Sequence, residues 1–260
     1  HKYVSEKRIK IFWRTCLKYK LAMSASLETP INNEYKCNKT RIIKSFCGNV
    51  IDMNYLYHDD EKQFDGKVIR VNYHNNIEVI RNSHGFVDFG EMVQQFAKDD
   101  KRNKIILIYI KKLLANNHNI LIFVENIDHC NYLYRQAIRL LTHTSMDNIA
   151  ENTIKLKGGA CKADITTAYD SKLIICTYGY GKEGMSYDQL DAMILGTPRR
   201  NGAEQFVARI LRSGGDYSIK RIIIDIVDQC SNNFKTQFYD RKKFYDNLSF
   251  EIKQIHYYNS

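Results

Sequence analysis

Short apolar runs punctuate this 260-residue chain and alternate with stretches of helical spacing, and that alternation restricts the fold more than any other feature. The segments "YKLAMSAS" (Tyr19–Ser26), "VIRVNY" (Val68–Tyr73), "NILIFVEN" (Asn119–Asn126), "KLIICT" (Lys172–Thr177), "LDAMIL" (Leu190–Leu195) and "RIIIDIV" (Arg221–Val227) read as strands. Lys101–Asn116, Asp128–Leu141, Ala203–Arg212 and Ser231–Asp246 carry apolar residues at helical spacing. Near-continuous apolar strands need cover on both faces, and strands joined through helices run parallel. The expected class is therefore α/β, a parallel sheet with helices on both faces.

A polar, irregular stretch from Thr29 to about Tyr57 contains Pro30, one of two prolines, and places a domain boundary there. The part before it reads as the end of a preceding domain, and the part after it as one α/β domain. No apolar run approaches the ~20 residues of a membrane span, and "HKYVSEKRIK" has no apolar signal core. No membrane partner is expected, and the chain reads as a piece of a longer protein. The 39 Lys and Arg against 29 Asp and Glu leave a net charge of +10, which suits a polyanion partner such as DNA or RNA. The seven cysteines, at 16, 37, 47, 130, 161, 176 and 230, include no C-x-x-C pair. They read as reduced intracellular thiols, with Cys176 in a core strand. His129 and Cys130 are neighbours on a helix, point about 100° apart, and make no metal site.

Directly after one apolar run comes "TYGYGKEGMS" (Thr177–Ser186), glycines followed by a Gly-Lys pair. A phosphate-binding Walker A loop needs G-x-x-x-x-G-K-[ST], because the hydroxyl after the lysine holds magnesium. Here Glu183 follows Lys182 and no glycine stands five residues before Gly181, so this is a different kind of turn. Gly179, Gly181 and Gly184 leave backbone N–H groups open to close approach at the carboxyl end of a strand, where open α/β sheets bind ligands. A tight strand-to-helix connection would account for the same glycines.

In "EQFVARILR", Gln205, Arg209 and Arg212 stand at i, i+4 and i+7, within about a 60° arc of one helix. Ala203, Phe206, Val207, Ile210 and Leu211 fall on the opposite side. The segment is expected to pack its apolar side inward and present a glutamine and two arginines together, and an anion between the cations would offset their repulsion. In the tail, Phe234, Phe238, Tyr245 and Phe250 mix with Lys235, Arg241, Lys242 and Lys243, a composition that can stack on bases, but the helical spacing of Phe234, Phe238 and Tyr245 favours a helix docked on the sheet. Asp225 and Asp228 at the end of the last run have no expected catalytic role, and Asp228 reads as a cap for that helix.

These motifs, in this order, resemble the superfamily 2 helicases, and in particular the DExH helicases of large cytoplasmic DNA viruses of the poxvirus and African swine fever virus group. "LAMSAS" is similar to motif III, "ILIFVENIDHC" to motif IV, "TYGYGKEGMS" to motif V, and Gln205, Arg209 and Arg212 to the Q-x-x-G-R-x-x-R of motif VI. His1 takes the place of the last letter of a DExH box.

The resemblance implies that residues 1–40 are the end of a first RecA-like domain with its linker, and residues 41–260 a second RecA-like domain. It implies ATP, with Mg2+ bound by residues outside this chain, and catalytic roles for Arg209 and Arg212 as arginine fingers and for Gln205 in ordering the nucleotide cleft. Glu183 and Gly184 would join the arginines in the nucleotide cleft. Thr177, Tyr178, Gly179, Lys182, Asn126, Gly158 and Gly159 would contact the DNA or RNA backbone. Ser24, Ala25 and Ser26 would couple the two sites. Departures are Ser26 for threonine, Ser186 for an aspartate, Ala208 for a glycine, and the absence of a Walker A lysine and of an Asp-Glu pair placed to hold magnesium. The chain alone is therefore expected to be inactive as an ATPase, with a missing N-terminal RecA-like domain and a viral transcription complex as expected partners, in a reducing host cytoplasm or virion. The alternative is a non-catalytic nucleic-acid-binding or interaction module of the same fold.

Overall fold

The computed structural model describes residues 45–48, 64–181, 187–199 and 202–258. The chain divides into two compact units, His1–Glu61 and Lys62–Ser260. The strand expected at Tyr19–Ser26, with Ser24, Ala25 and Ser26, and the domain boundary drawn at residue 40 lie outside the described residues.

In the second unit the elements run β1 (Gly66–His74), α1 (Phe89–Lys98), α2 (Asp100–Ala115), β2 (Ile120–Val124), α3 (Ile127–His143), α4 (Asp147–Glu151), β3 (Ile154–Leu156) and α5 (Lys162–Thr167). They continue with β4 (Leu173–Thr177), α6 (Tyr178–Gly181), β5 (Ala192–Leu195), α7 (Ala203–Val207), β6 (Arg221–Asp228), α8 (Asn232–Asn247) and β7 (Glu251–Tyr258). The seven strands form one sheet in the order β3-β4-β2-β5-β6-β1-β7, and every pairing is parallel. This is the RecA-like parallel sheet expected from the sequence.

Successive strand residues point to opposite faces, and the core splits accordingly. Val68, Leu121, Phe123, Ile174, Cys176, Met193 and Ile223 face one layer, with Phe206, Ile210, Phe238 and Tyr245 packed on them. Val71, Ile120, Ile122, Ile175, Ile194, Ile224 and Ile226 face the other, under Ile106 and Ile110 of α2 and Leu133 and Ala137 of α3. Cys176 is buried as expected, Phe238 and Tyr245 dock α8 on the sheet, and Phe234 packs instead on Met92 and Phe96 of α1.

Two strands were not anticipated. β3 spans only three residues, too few to carry a pattern. β7 is an edge strand whose exposed positions are Glu251, Lys253, Gln254, His256 and Tyr258, and such an edge needs no continuous apolar run. The cap reading of Asp228 is corrected. Ser231 caps α8 by accepting a hydrogen bond from the Asn233 amide, while Asp228 pairs with Arg102.

Candidate functional site

Because all strands run parallel, the loops after β2, β4, β5 and β6 leave the sheet at one rim, the edge where open α/β sheets place their ligands. Most of the residues singled out in the sequence lie along it. Lys182, Glu183, Gly184 and Ser186 lie outside the described residues.

The start of the glycine turn is a single helical turn, α6. Thr177 is buried, and its hydroxyl accepts from the Tyr180 amide at 3.4 Å. The Tyr178 ring is core: it stacks on Phe123 at 5.3 Å and meets Phe206 edge-on at 4.8 Å. Burial pushes its hydroxyl pKa upward. Gly179 and Gly181 differ in kind. A Cβ at Gly181 would lie 2.1 Å from the Phe123 ring, whereas one at Gly179 would meet nothing within 4 Å. Gly181 is therefore a packing glycine and only Gly179 faces open space. Asn126 follows β2 and caps α3, its side-chain oxygen accepting from the His129 amide at 2.8 Å. Gly158 and Gly159 form an exposed turn after β3, with Gly159 at φ +83.

The loop after β5 is gripped through three carbonyls, a feature the sequence reading missed. Arg102 of α2 donates to the Gly196 carbonyl, Tyr178 to that of Thr197 at 2.8 Å, and Arg241 of α8 to that of Arg199. Each arginine is held by a β6 carboxylate. Arg102 forks onto Asp228 at 2.9 and 3.1 Å from one face of the sheet. Arg241 forks onto Asp225 at 2.7 and 2.8 Å from the other, and Tyr245 also donates to Asp225 at 2.9 Å. The side chain of Arg199 reaches back to Glu125 at 2.7 Å, tying the loops after β2 and β5 together. Asp225 and Asp228 thus hold the rim's shape. The period-two pattern of β6 already put them on opposite faces.

Beyond this loop the expected helix Ala203–Arg212 is shorter than its pattern implied. α7 is preceded by its cap Gly202, which is left-handed at φ +86, and ends at Val207. The chain then continues in i to i+3 turns: the amides of Arg209, Ile210 and Leu211 bond to the carbonyls of Phe206, Val207 and Ala208 at 3.0, 3.0 and 3.4 Å. In such turns side chains three apart eclipse, so tightening keeps Arg209 and Arg212 on one side. Phe206, Val207 and Ile210 are buried and both arginines half-buried, while Gln205 is exposed on α7. The Arg209 guanidinium is held below the usual arginine range by burial first and by the charge of Arg212 second.

A further arginine secures this segment. Arg221, at the start of β6, donates to the carbonyls of Ile210 at 2.7 Å, Asp216 at 3.0 Å and Ile219 at 2.9 Å, with Phe64 stacked 4.0 Å from its guanidinium. Gly215 lets it fit, since a Cβ there would come within 2.6 Å of it. Among the described residues no group of three or more His, Cys, Asp or Glu is placed to hold a metal ion, and no helix is long and apolar enough to cross a membrane.

No protein-family model matches the chain. Two viral proteins described as "Putative ATP-dependent RNA helicase" are similar to it. One, from African swine fever virus (isolate Tick/Malawi/Lil 20-1/1983), is 27% identical across 97% of this chain and 50% of its own length. The other, from Acanthamoeba polyphaga mimivirus, is 24% identical across 95% of this chain and 45% of its own. The chain spans about half the length of the curated relatives it matches. Among solved structures, T4 UvsW shares the fold over 73% of this chain and 41% of its own, at a TM-score of 0.52 and 16% identity. The resemblance to helicases of large DNA viruses, stated from the motifs, agrees with these relatives.

Proposed function

We propose that this chain is the C-terminal half of an ATP-dependent nucleic-acid helicase or translocase, which brings Arg209 and Arg212 to the phosphates of a nucleotide held by the other half. The observation that carries the reading is the placement of two half-buried arginines on the turns after α7, where Arg221 holds the Ile210 carbonyl between them and the charge of Arg212 helps lower the Arg209 pKa. A polyphosphate carries the charge that two neighbouring guanidiniums attract. The relatives' printed names point the same way.

In this reading ATP, when bound with Mg2+, supplies the transferable phosphoryl group, and the residues of this chain fit a polyphosphate through their cations. Arg209 and Arg212 stabilise charge on the transferring group, and Gln205 orders the cleft beside them, with Glu183 and Gly184. The Thr177 hydroxyl, the backbone from Tyr178 to Lys182, Asn126 and the Gly158–Gly159 turn meet phosphates of the DNA or RNA strand, which makes binding tolerant of sequence. The metal is held by the missing N-terminal RecA-like domain, which is also where a Walker A loop belongs.

The test compares two lengths of the protein. The 260-residue chain hydrolyses no ATP above background while the longer protein turns over in the presence of a single strand. Turnover by the short chain would place the nucleotide site elsewhere. A longer protein that binds a strand without hydrolysing ATP would favour a binding module.

A further inference from the structure

The rim formed by the ends of β6, β1 and β7 carries a second surface that the site above does not use. A cavity of ≈ 330 Å³ lies there, with Arg81 and Lys235 in its wall together with Gln229, Asn232 and Asn233 and no carboxylate. The two barest large hydrophobic side chains among the described residues are Phe86, at 71% exposure and next in sequence to Val87 of the cavity wall, and Tyr258, at 69%.

Phe86 is presented by a braced loop. Arg81 and Val87, which flank the loop and line the cavity, pair as an antiparallel bridge. The Asn82 amide donates to the Phe86 carbonyl at 2.8 Å, the Asn82 side-chain oxygen accepts from the His84 and Phe86 amides at 3.0 and 3.1 Å, and Arg81 donates to the Gly85 carbonyl at 2.8 Å. A loop held by this many bonds keeps an apolar ring in water.

Tyr258 is joined to the cavity through a chain of side chains. Its ring stacks on His74 at 4.4 Å, nearly parallel at 15°. His74 Nε2 lies 3.1 Å from His256 Nδ1. Asn72 lies 3.4 Å from the other nitrogen of His256 and accepts from Gln229 of the cavity wall at 3.1 Å. Burial, then His256, then Lys235 lower the His74 pKa, which favours the neutral imidazole for stacking.

We infer that this surface is a second docking site for single-stranded nucleic acid, with a backbone phosphate in the Arg81–Lys235 cavity and bases stacked on Phe86 and Tyr258. Exposed rings on segments that border a cavity lined by two cations and no carboxylate match a chain in which bases alternate with phosphates. The net charge of +10 has the matching sign. The inference rests on the reading that the chain binds a nucleic-acid strand.

Fluorescein-labelled oligouridylate titrated onto the 260-residue chain tests it by anisotropy. Replacing both rings, Phe86→Ala with Tyr258→Ala, is expected to weaken binding about fivefold or more for each ring. Replacing both cations, Arg81→Ala with Lys235→Ala, is expected to lower the slope of log affinity against log salt by about 1.4. Oligodeoxythymidylate should respond alike, because neither contact uses the ribose hydroxyl. Melting should be unchanged in both variants, and 4-thiouridine should crosslink to the segments containing Phe86 and Tyr258 in the unaltered chain. Binding within twofold for both variants, with no such crosslink, overturns the second site and leaves the strand reading of the motif residues standing. No binding by the unaltered chain overturns both.

Discussion

Arg102 and Arg241 enter the sheet from opposite faces, and each closes a two-bonded fork on a carboxylate of β6. Arg209 and Arg212 sit along the same rim, on the turns after α7, where the charge of one depresses the pKa of the other. The first pair is fully buried and its remaining donors hold carbonyls of the loop after β5. The second pair is half-buried. At one rim, then, the arginines that fork onto a β6 carboxylate fix backbone, and those on the turns after α7 stand half-buried within the field of a like charge.

The comparison breaks or sharpens through substitutions on each side of it. The largest effect is expected for Arg209→Ala in the longer protein, where loss of a phosphoryl-stabilising arginine lowers ATP turnover by about 10³ or more. Thermal melting is expected to stay put. A melting shift matching the activity loss would make Arg209 a structural arginine like the other pair. On the opposite side, Asp225→Asn leaves Arg241 buried with its counter-charge removed and should cost about 3–5 kcal/mol in urea unfolding. A cost under 1 kcal/mol would remove the clamp.

The glycines offer the next contrast. Gly181→Ala drives a methyl into the Phe123 ring and should cost about 1–3 kcal/mol. Gly179→Ala meets open space and should change stability by less than about 0.5 kcal/mol. Equal costs would mean that packing does not distinguish the two positions.

The smallest effect concerns pH. Burial and the charge of Arg102 lower the His129 pKa to about 3, and its Nε2 lies 2.8 Å from the Asn103 side-chain oxygen. Below about pH 6.5 the unfolded chain takes up a proton that the folded one refuses, so this residue's share of stability falls as pH drops toward 3. The slope is about 1.4 kcal/mol per pH unit. Between pH 7 and pH 5.5, where the unfolded histidine is only partly protonated, urea unfolding should lose about 1.3 kcal/mol through this residue in the unaltered chain and not in His129→Gln.

The class of fold was legible because buried parallel strands are written as apolar runs, and β2, β4 and β6 fall within one or two residues of their expected ends. The arginine stripe was legible because spacing survives the change from α-helical to i to i+3 turns. The early end of α7 was not, since apolar and cationic spacing alone cannot separate the two windings. The clamps were hidden for another reason: Arg102 and Asp228 are 126 positions apart, and nothing local marks either as the other's partner. Arg221 was hidden likewise, because it reads as the polar first residue of a strand while its guanidinium organises the segment carrying Arg212.

The central claim is that Arg209 and Arg212 serve the nucleotide and leave the strand contacts to others. The direct test is the longer protein carrying Arg209→Ala with Arg212→Ala, measured side by side for strand-stimulated ATP hydrolysis and for oligonucleotide affinity. Hydrolysis reduced about a thousandfold or more, with affinity within twofold of the unaltered protein, is the predicted result. Preserved hydrolysis, or affinity lost in step with it, would contradict the account.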